Sequence, residues 1–237
     1  MAKESCTATL PFDGRVVTVV RKPIKNLHLR LRPPHGEIFV SAPYATRDLE
    51  ILAFLEKSRA WIERHRTAYA GSEPPKPLCD GAVLPLFGQR ITLRLAPKQR
   101  MPYALDGPVL TVAEGSAVAS VRRFYGDRLI AAAEPLLRIW SERLCLRLPL
   151  LRLRAMTSRW GSCHVKKRIV TLNLRLAFYP LPLLEYVLVH ELVHFEHPNH
   201  SPAFYASLAA RLPDWRERKQ SLDALSRQNA LPDPFAG

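Results

Sequence analysis

Glycine is scarce in this chain: 237 residues contain only ten. Its loops therefore cannot be floppy glycine tracts, and the 21 prolines point instead to connections of fixed shape. Cysteine is equally thin. Cys6, Cys79, Cys145 and Cys163 stand apart with no C-x-x-C pair, which excludes a zinc-ribbon spacing and a dense disulfide framework. No apolar run reaches the roughly 18 residues of a membrane-spanning helix, and the opening "MAKESCTATLPFDG" has no apolar stretch of the signal-peptide kind. The expected setting is the cytoplasm, with reduced thiols and no membrane partner. No internal repeat is visible.

Acid is the third shortage. Asp and Glu number 21 against 35 Lys and Arg, a formal net charge of +14. From Arg138 to Arg175 ten Lys or Arg face one acid, Glu142, and a second basic run covers Arg15 to Arg32. Such a field favours anionic partners, and a weak association with nucleic acid is one expectation. No nucleic-acid reading motif accompanies it.

What the chain does have is a core: 47% of its residues are hydrophobic, an ordinary globular share. Residues 10 to 43 alternate as strands, with Leu27, Leu29 and Leu31, then Ile38 and Val40, at every second position and a Pro-Pro-His-Gly turn between. Thr46 is placed to cap one long helix reaching about Ala68. "GSEPPKP" at 71–77 breaks the chain, and short strands follow in "VLPLFGQRITLRLAP" and "PVLTVAEG". Ser116 opens a helix to about Leu146 that Pro135 should kink or split. "LLRLRAMT" and "RIVTLNLRL" read as two strands, with "SRWGSCHVKK" as the turn between. Helices follow over the run ending at His197, from Ser201-Pro202 to about Leu212, and from an Asp214–Glu217 capping box to about Ser226. The expected class is α+β: a β-rich N-terminal part with one long helix (10–114), a mainly helical region with a small sheet (115–227), and a frayed tail (228–237).

One helix is too polar for its setting. "YVLVHELVHFEHPNH" starts as an apolar segment and then places four histidines and two glutamates within eleven residues, His190 to His200. On a helix His190 and His194 lie about 6 Å apart along the axis and about 40° apart in rotation, so both rings leave one face and can converge on a metal ion. Glu191, about 100° away, can flank the ion and take a proton from a bound water. This is the logic of H-E-x-x-H. Left without partners, the same groups buried on an apolar helix would be costly. A hydrolytic zinc site needs three protein ligands and an open position. His200, brought back by the turn at Pro198-Asn199, is the preferred third; His197, Asp214 and Glu217 are alternatives. His28, His35 and His65 read as ordinary turn or surface residues, and His164 as a loop residue that could approach the site. Cys163 as a thiolate nucleophile has no supporting spacing.

The paired blocks "SRWGSCHVKKRIVTLNLRL" and "YVLVHELVHFEHPNHSPAFY" resemble the YgjP-like metallopeptidase family, which joins an R-W-G-S-C turn and an L-N strand to H-E-L-x-H and N-H-S-x-x-F. The likeness extends weakly to the strands near Leu27 to Ala42 and the helix ending "RAWIERHR". It implies a zincin-like catalytic region with His190, His194 and His200 on one Zn2+ and Glu191 as base, acting on a peptide or protein substrate. His164 and Tyr205 depart from the family's usual residues and bear on the pocket wall. A more distant likeness, to SprT-like and WLM proteases that act on DNA-attached proteins, implies a basic surface used for recruitment. The edge of "RIVTLNLRL" is expected to pair with substrate, with Asn173 as a polar contact and Arg159 and Trp160 as further substrate contacts, Arg159 on an oxyanion or a carboxylate. A closed, non-catalytic zinc module is the remaining expectation.

Overall fold

The computed structural model describes residues 6–32, 36–66, 78–98, 100–228 and 233–235; the breaker at 71–77 and His35 with its two prolines lie outside them. The chain forms two compact units, Met1–Pro75 and Lys76–Gly237. Helix accounts for 43% and strand for 28%, so neither dominates and the α+β class holds.

In the first unit β1 (Cys6–Phe12), β2 (Arg15–Arg21), β3 (His28–Arg32) and β4 (Glu37–Ala42) form one sheet in the order β1-β2-β4-β3. Val17, Val19, Ile38 and Val40 are nearly fully buried, as the period-two alternation requires. They pack with Ile51, Leu55 and Ile62. The expected single helix is two, α1 (Asp48–Lys57) and α2 (Arg59–Arg66), parted at Ser58, yet the buried residues keep a common face across the break. The cap falls on Arg47 rather than Thr46, because the Glu50 carboxylate accepts the Arg47 N–H at 2.9 Å.

The second unit begins with β5 (Val83–Leu86), β6 (Gln89–Ala96), β7 (Ala104–Asp106) and β8 (Val109–Ala113), ordered β5-β6-β8-β7. Strand order and sense match the first sheet: an antiparallel hairpin, a parallel central pair, an antiparallel last strand. Both hairpins turn through two residues of positive φ, Asp13-Gly14 and Phe87-Gly88, the geometry that matches strand twist in a two-residue loop. The repetition also shows in residue identity: Leu10-Pro11, Gly14 and Thr18 recur as Leu84-Pro85, Gly88 and Thr92, which corrects the expectation of no internal repeat.

The helix α3 (Ala117–Arg143) runs unbroken through Pro135. Pro135 and Ala131, whose carbonyl loses its helical partner, are both exposed, so water can satisfy that carbonyl and no split results. Next come β9 (Leu150–Arg154), β10 (Gly161–His164) and β11 (Ile169–Asn173), then a 3-10 turn at Leu174–Phe178 and the helices α4 (Leu181–Val193), α5 (Pro202–Arg211) and α6 (Trp215–Gln228). The order β10-β11-β9 corrects two expectations. The presumed turn contains a strand, β10, and β11 is central rather than an edge.

One continuous core joins β5–β8, α3, β11 and α4–α6, so the strands at 83–113, grouped at the sequence level with 10–114, share a core with the histidine helix. The hairpin tip docks just before α4: Phe87 N–H donates to Ala177 O at 2.7 Å and Gly88 N–H to Phe178 O at 3.3 Å. A Cβ at Gly88 would lie 2.9 Å from Pro180 Cγ, so the close approach needs glycine. The tail, expected to fray, is tied down at Asp233–Phe235. Arg175 Nε donates to Asp233 at 2.7 Å, Arg122 Nε to Pro234 O at 2.5 Å, and Phe235 is buried against Tyr125 and Phe178. Among the described residues no helix is long and apolar enough to cross a membrane.

Candidate metal centre

The helix α4 is buried on nearly every side, with Leu183, Leu184, Val187, Leu188, Val189, Leu192 and Val193 all in the core. It ends at His194, where the cap residue is still helical (φ −64°, ψ −17°). The chain then turns through Pro198 to Ser201, whose Oγ accepts the Phe204 N–H at 3.3 Å and caps α5 as expected. Glu196 locks the turn to α5 by accepting from Arg211 at 2.8 and 3.0 Å and from Ser207 Oγ at 2.9 Å.

That turn returns His200 to the helix. The ligand nitrogens of His190, His194 and His200 all lie within 4.8 Å of one another. Nε2 of His190 and Nε2 of His200 are 3.0 Å apart; tetrahedral zinc bonds of about 2.0–2.1 Å separate two ligand nitrogens by roughly 3.3 Å. Phe204, fully buried, is the floor: its ring centroid is 4.9, 4.7 and 4.8 Å from those of His190, His194 and His200. His194 Nδ1 lies 3.1 Å from the His197 carbonyl, a bond that fixes the ring and leaves Nε2 free. His197 therefore contributes its backbone, and its ring stays outside the cluster. Burial, with the neighbouring imidazoles His194 and His200 adding to it, lowers the pKa of His190 to about 4; burial also lowers that of His194. Neutral rings with facing lone pairs are what a divalent metal requires.

Glu191 is 6% exposed. Burial raises its pKa to about 8, with the Arg159 guanidinium pulling the other way. Its carboxylate is cradled by Gly161 on β10, where a Cβ would sit 2.6 Å from Oε1 and 2.7 Å from Cγ. The three histidines and Glu191 open into a cavity of about 560 Å³ also lined by Arg159, Trp160, Gly161, Ser162, Cys163 and Tyr186. Gly161 to Cys163 are β10, an edge of its sheet.

The remaining sequence candidates separate cleanly. Trp160 lines the cavity and rests edge-on against Tyr179 at 5.4 Å. Asn173 does not reach the cavity. It is 2% exposed, and its Nδ2 donates to Met156 O at 2.8 Å and Arg159 O at 2.9 Å, so it holds the loop that carries Arg159. Tyr205 is also outside the cavity lining, stacked on His200 at 6.1 Å and on Trp215 at 5.3 Å. His164 is exposed at the end of β10, its Nδ1 accepting the Lys167 N–H at 3.2 Å. Asp214 pairs with Arg218 at 2.8 Å, and Glu217 is exposed; neither joins the cluster. The capping box expected of them is replaced by that Asp214–Arg218 pair. The Cys163 thiol is pushed up to about 12 by burial and then by Glu191, the opposite of an activated nucleophile. Sequence reasoning missed Phe204, Gly161 and Tyr186. For Phe204 the signal was present, since α5 places it three residues after its cap, on the side facing α4.

Two solved structures are similar to part of the chain. The metallopeptidase zymogen abylysin of Pyrococcus abyssi is 22% identical over 38% of this chain and 90% of its own, with a TM-score of 0.36. The zymogen jannalysin of Methanocaldococcus jannaschii is 20% identical over 38% of this chain and 87% of its own, also at 0.36. The comparison with curated proteins finds no match. The sequence model of the YgjP-like metallopeptidase domain matches residues 27–225, most of the chain and both blocks that build the site, and the chain belongs to the YgjP-like metallopeptidase family.

Proposed function

We propose that this chain is a zinc-dependent peptidase in which His190, His194 and His200 hold the ion and Glu191 is the general base. The observation that carries this reading is the convergence of three ring nitrogens within 4.8 Å, beside a buried carboxylate in an open cavity. Among the described residues no fourth His, Cys, Asp or Glu joins the cluster, which favours a catalytic over a closed structural site.

A divalent ion held there supplies Lewis-acid chemistry to a scissile carbonyl and to water. The chain's residues do the rest. Glu191 accepts a proton on its carboxylate and returns it to the leaving nitrogen. Gly161 fixes where that carboxylate sits. The open edge of β10 offers backbone groups to an extended peptide. In Glu191→Gln the metal content should stay at one equivalent while turnover of a peptide substrate falls by about 10²–10⁴-fold; full activity in that variant ends the proposal.

A second reading adds recruitment by nucleic acid. Arg152 and Arg154 are exposed on one face of β9, and Lys166 and Lys167 on the β10–β11 turn, without ion pairs among the described residues. Affinity for DNA should then fall steeply with salt, and DNA should stimulate cleavage of a bound protein.

A further inference from the structure

Arg159 lines the cavity together with the histidines and Glu191. It is the only Lys or Arg there, and the only acid is Glu191, whose carboxylate is buried. Many other arginines are partnered: Arg175 with Asp233, Arg211 with Glu196, Arg218 with Glu185. The Arg159 side chain has no hydrogen bond or ion pair among the described residues, and it is exposed.

Its backbone, by contrast, is fixed. Arg159 O accepts from Asn173 Nδ2 at 2.9 Å and Trp160 O from the Asn173 N–H at 2.8 Å. Three residues earlier Met156 O accepts from Asn173 Nδ2 at 2.8 Å and from Arg175 Nη1 at 2.9 Å. A solvated loop has no need of a fully buried asparagine beneath it. The arrangement is a guanidinium on a rigid base at the rim of a cavity, near enough to Glu191 to pull on its carboxylate but hydrogen-bonded to nothing among the described residues. Two residues on, β10 starts, so a peptide paired along that open edge passes Arg159.

We propose that Arg159 is a specificity-determining residue that takes a substrate carboxylate, and hence that the cavity selects peptides bearing one close to the scissile bond. An oxyanion contact fits less well, because such a donor works in a water-excluded site and Arg159 is exposed. A planar fork on a fixed backbone suits bidentate capture of a carboxylate. The carboxylate comes from an Asp or Glu side chain or from a chain terminus. This inference rests on the peptidase reading for the location of the scissile bond, and not for the binding itself.

The test uses the full chain loaded with zinc and a set of quenched peptides in which one position at a time is Asp or Glu against Asn or Gln, each with a free or an amidated C-terminus. One acidic position, or the free terminus, should raise kcat/KM by about 10–100-fold, the size of a charge-assisted bond, and chiefly through KM. Which arm responds identifies the source of the carboxylate. Arg159→Gln should erase the preference with the zinc content unchanged, and Arg159→Glu should turn it toward Lys or Arg. The same peptides are also titrated by fluorescence against zinc-loaded Glu191→Gln and Glu191→Gln/Arg159→Gln proteins. Binding that prefers the carboxylate and depends on Arg159, with no peptide cleaved by the wild type, would uphold this inference and sink the peptidase reading. A wild type indifferent to the carboxylate in both measurements, or a preference that survives Arg159→Gln, overturns it.

Discussion

Nε2 of His190 and Nε2 of His200 face each other at 3.0 Å across ten residues of chain. Such an approach needs either an N–H donated from one ring to the other or a cation between them. Substituting His200 by Ala should therefore weaken metal binding by more than the roughly 10–100-fold typical of losing an outer partner, read by elemental analysis after dialysis. His197→Ala should keep the metal, because its carbonyl, not its ring, orients His194. Equal loss in both variants would show that the fold around the turn, and not the ring of His200, holds the ion.

Gly161 gives a second prediction. An added methyl would lie 2.6 Å from Glu191 Oε1, and the carboxylate is the part able to yield, toward the cavity. Gly161→Ala should lower kcat by about 10²-fold, the scale of a misplacement near 1 Å, while metal content and melting temperature change little. A crystal structure of the variant should show Glu191 displaced; an unmoved carboxylate with full activity would contradict the role given to this glycine.

Without metal, stability should depend on pH in two opposed ways. His190 in the folded chain binds its proton only near pH 4, below the ordinary 6.5 of the unfolded chain, so acidification from 6.5 to 4 favours unfolding. Glu191 keeps its proton up to about pH 8 when folded but loses it near 4.5 when unfolded, so its stabilising contribution fades as pH rises from 4.5 to 8. Between pH 6.5 and 8 Glu191 acts alone of the two. The melting temperature of the metal-free protein should fall over that window by roughly 4–8 °C, corresponding to about 2 kcal/mol. Glu191→Gln should flatten it. A flat wild-type profile above pH 6.5 would refute the buried, proton-holding state of Glu191.

The tail supplies the fourth. Asp233 accepts from Arg175, which also donates to Met156 O at 2.9 Å. Asp233→Ala leaves a partly buried guanidinium short of an acceptor, at a cost of about 1–3 kcal/mol. Because Met156 N–H is held by Asn173 Oδ1, amide exchange at Met156 reports the loop directly and should quicken in the variant. Unchanged exchange there would detach the tail from the cavity wall.

Much of the site was legible in the chain because it is local. His190 and His194 share a helix face by periodicity alone, Pro198 dictates a turn, and Ser201-Pro202 starts the next helix; three constraints inside thirteen residues bring His200 back with little freedom left. The paired blocks likewise carried the family. Period-two alternation placed Ile38 and Val40 inside, while Leu27, Leu29 and Leu31 on the same pattern are half-buried.

What tertiary structure alone decided lies in contacts between distant segments. β10 pairs with β11 over four residues too short and too polar to read as a strand, and its edge, not that of β11, faces the cavity. Asn173 looked like a substrate contact because a polar residue within an apolar strand invites that reading; only packing shows it buried beneath the Arg159 loop. Phe204 under the rings of His190 and His194, Gly161 against Glu191 and Asp233 on Arg175 each join residues about 10 to 60 positions apart. Helical and strand periodicity carry information over a few residues, whereas these relationships arise when separate elements close on a common core, and nothing in a one-dimensional pattern records which surfaces will meet.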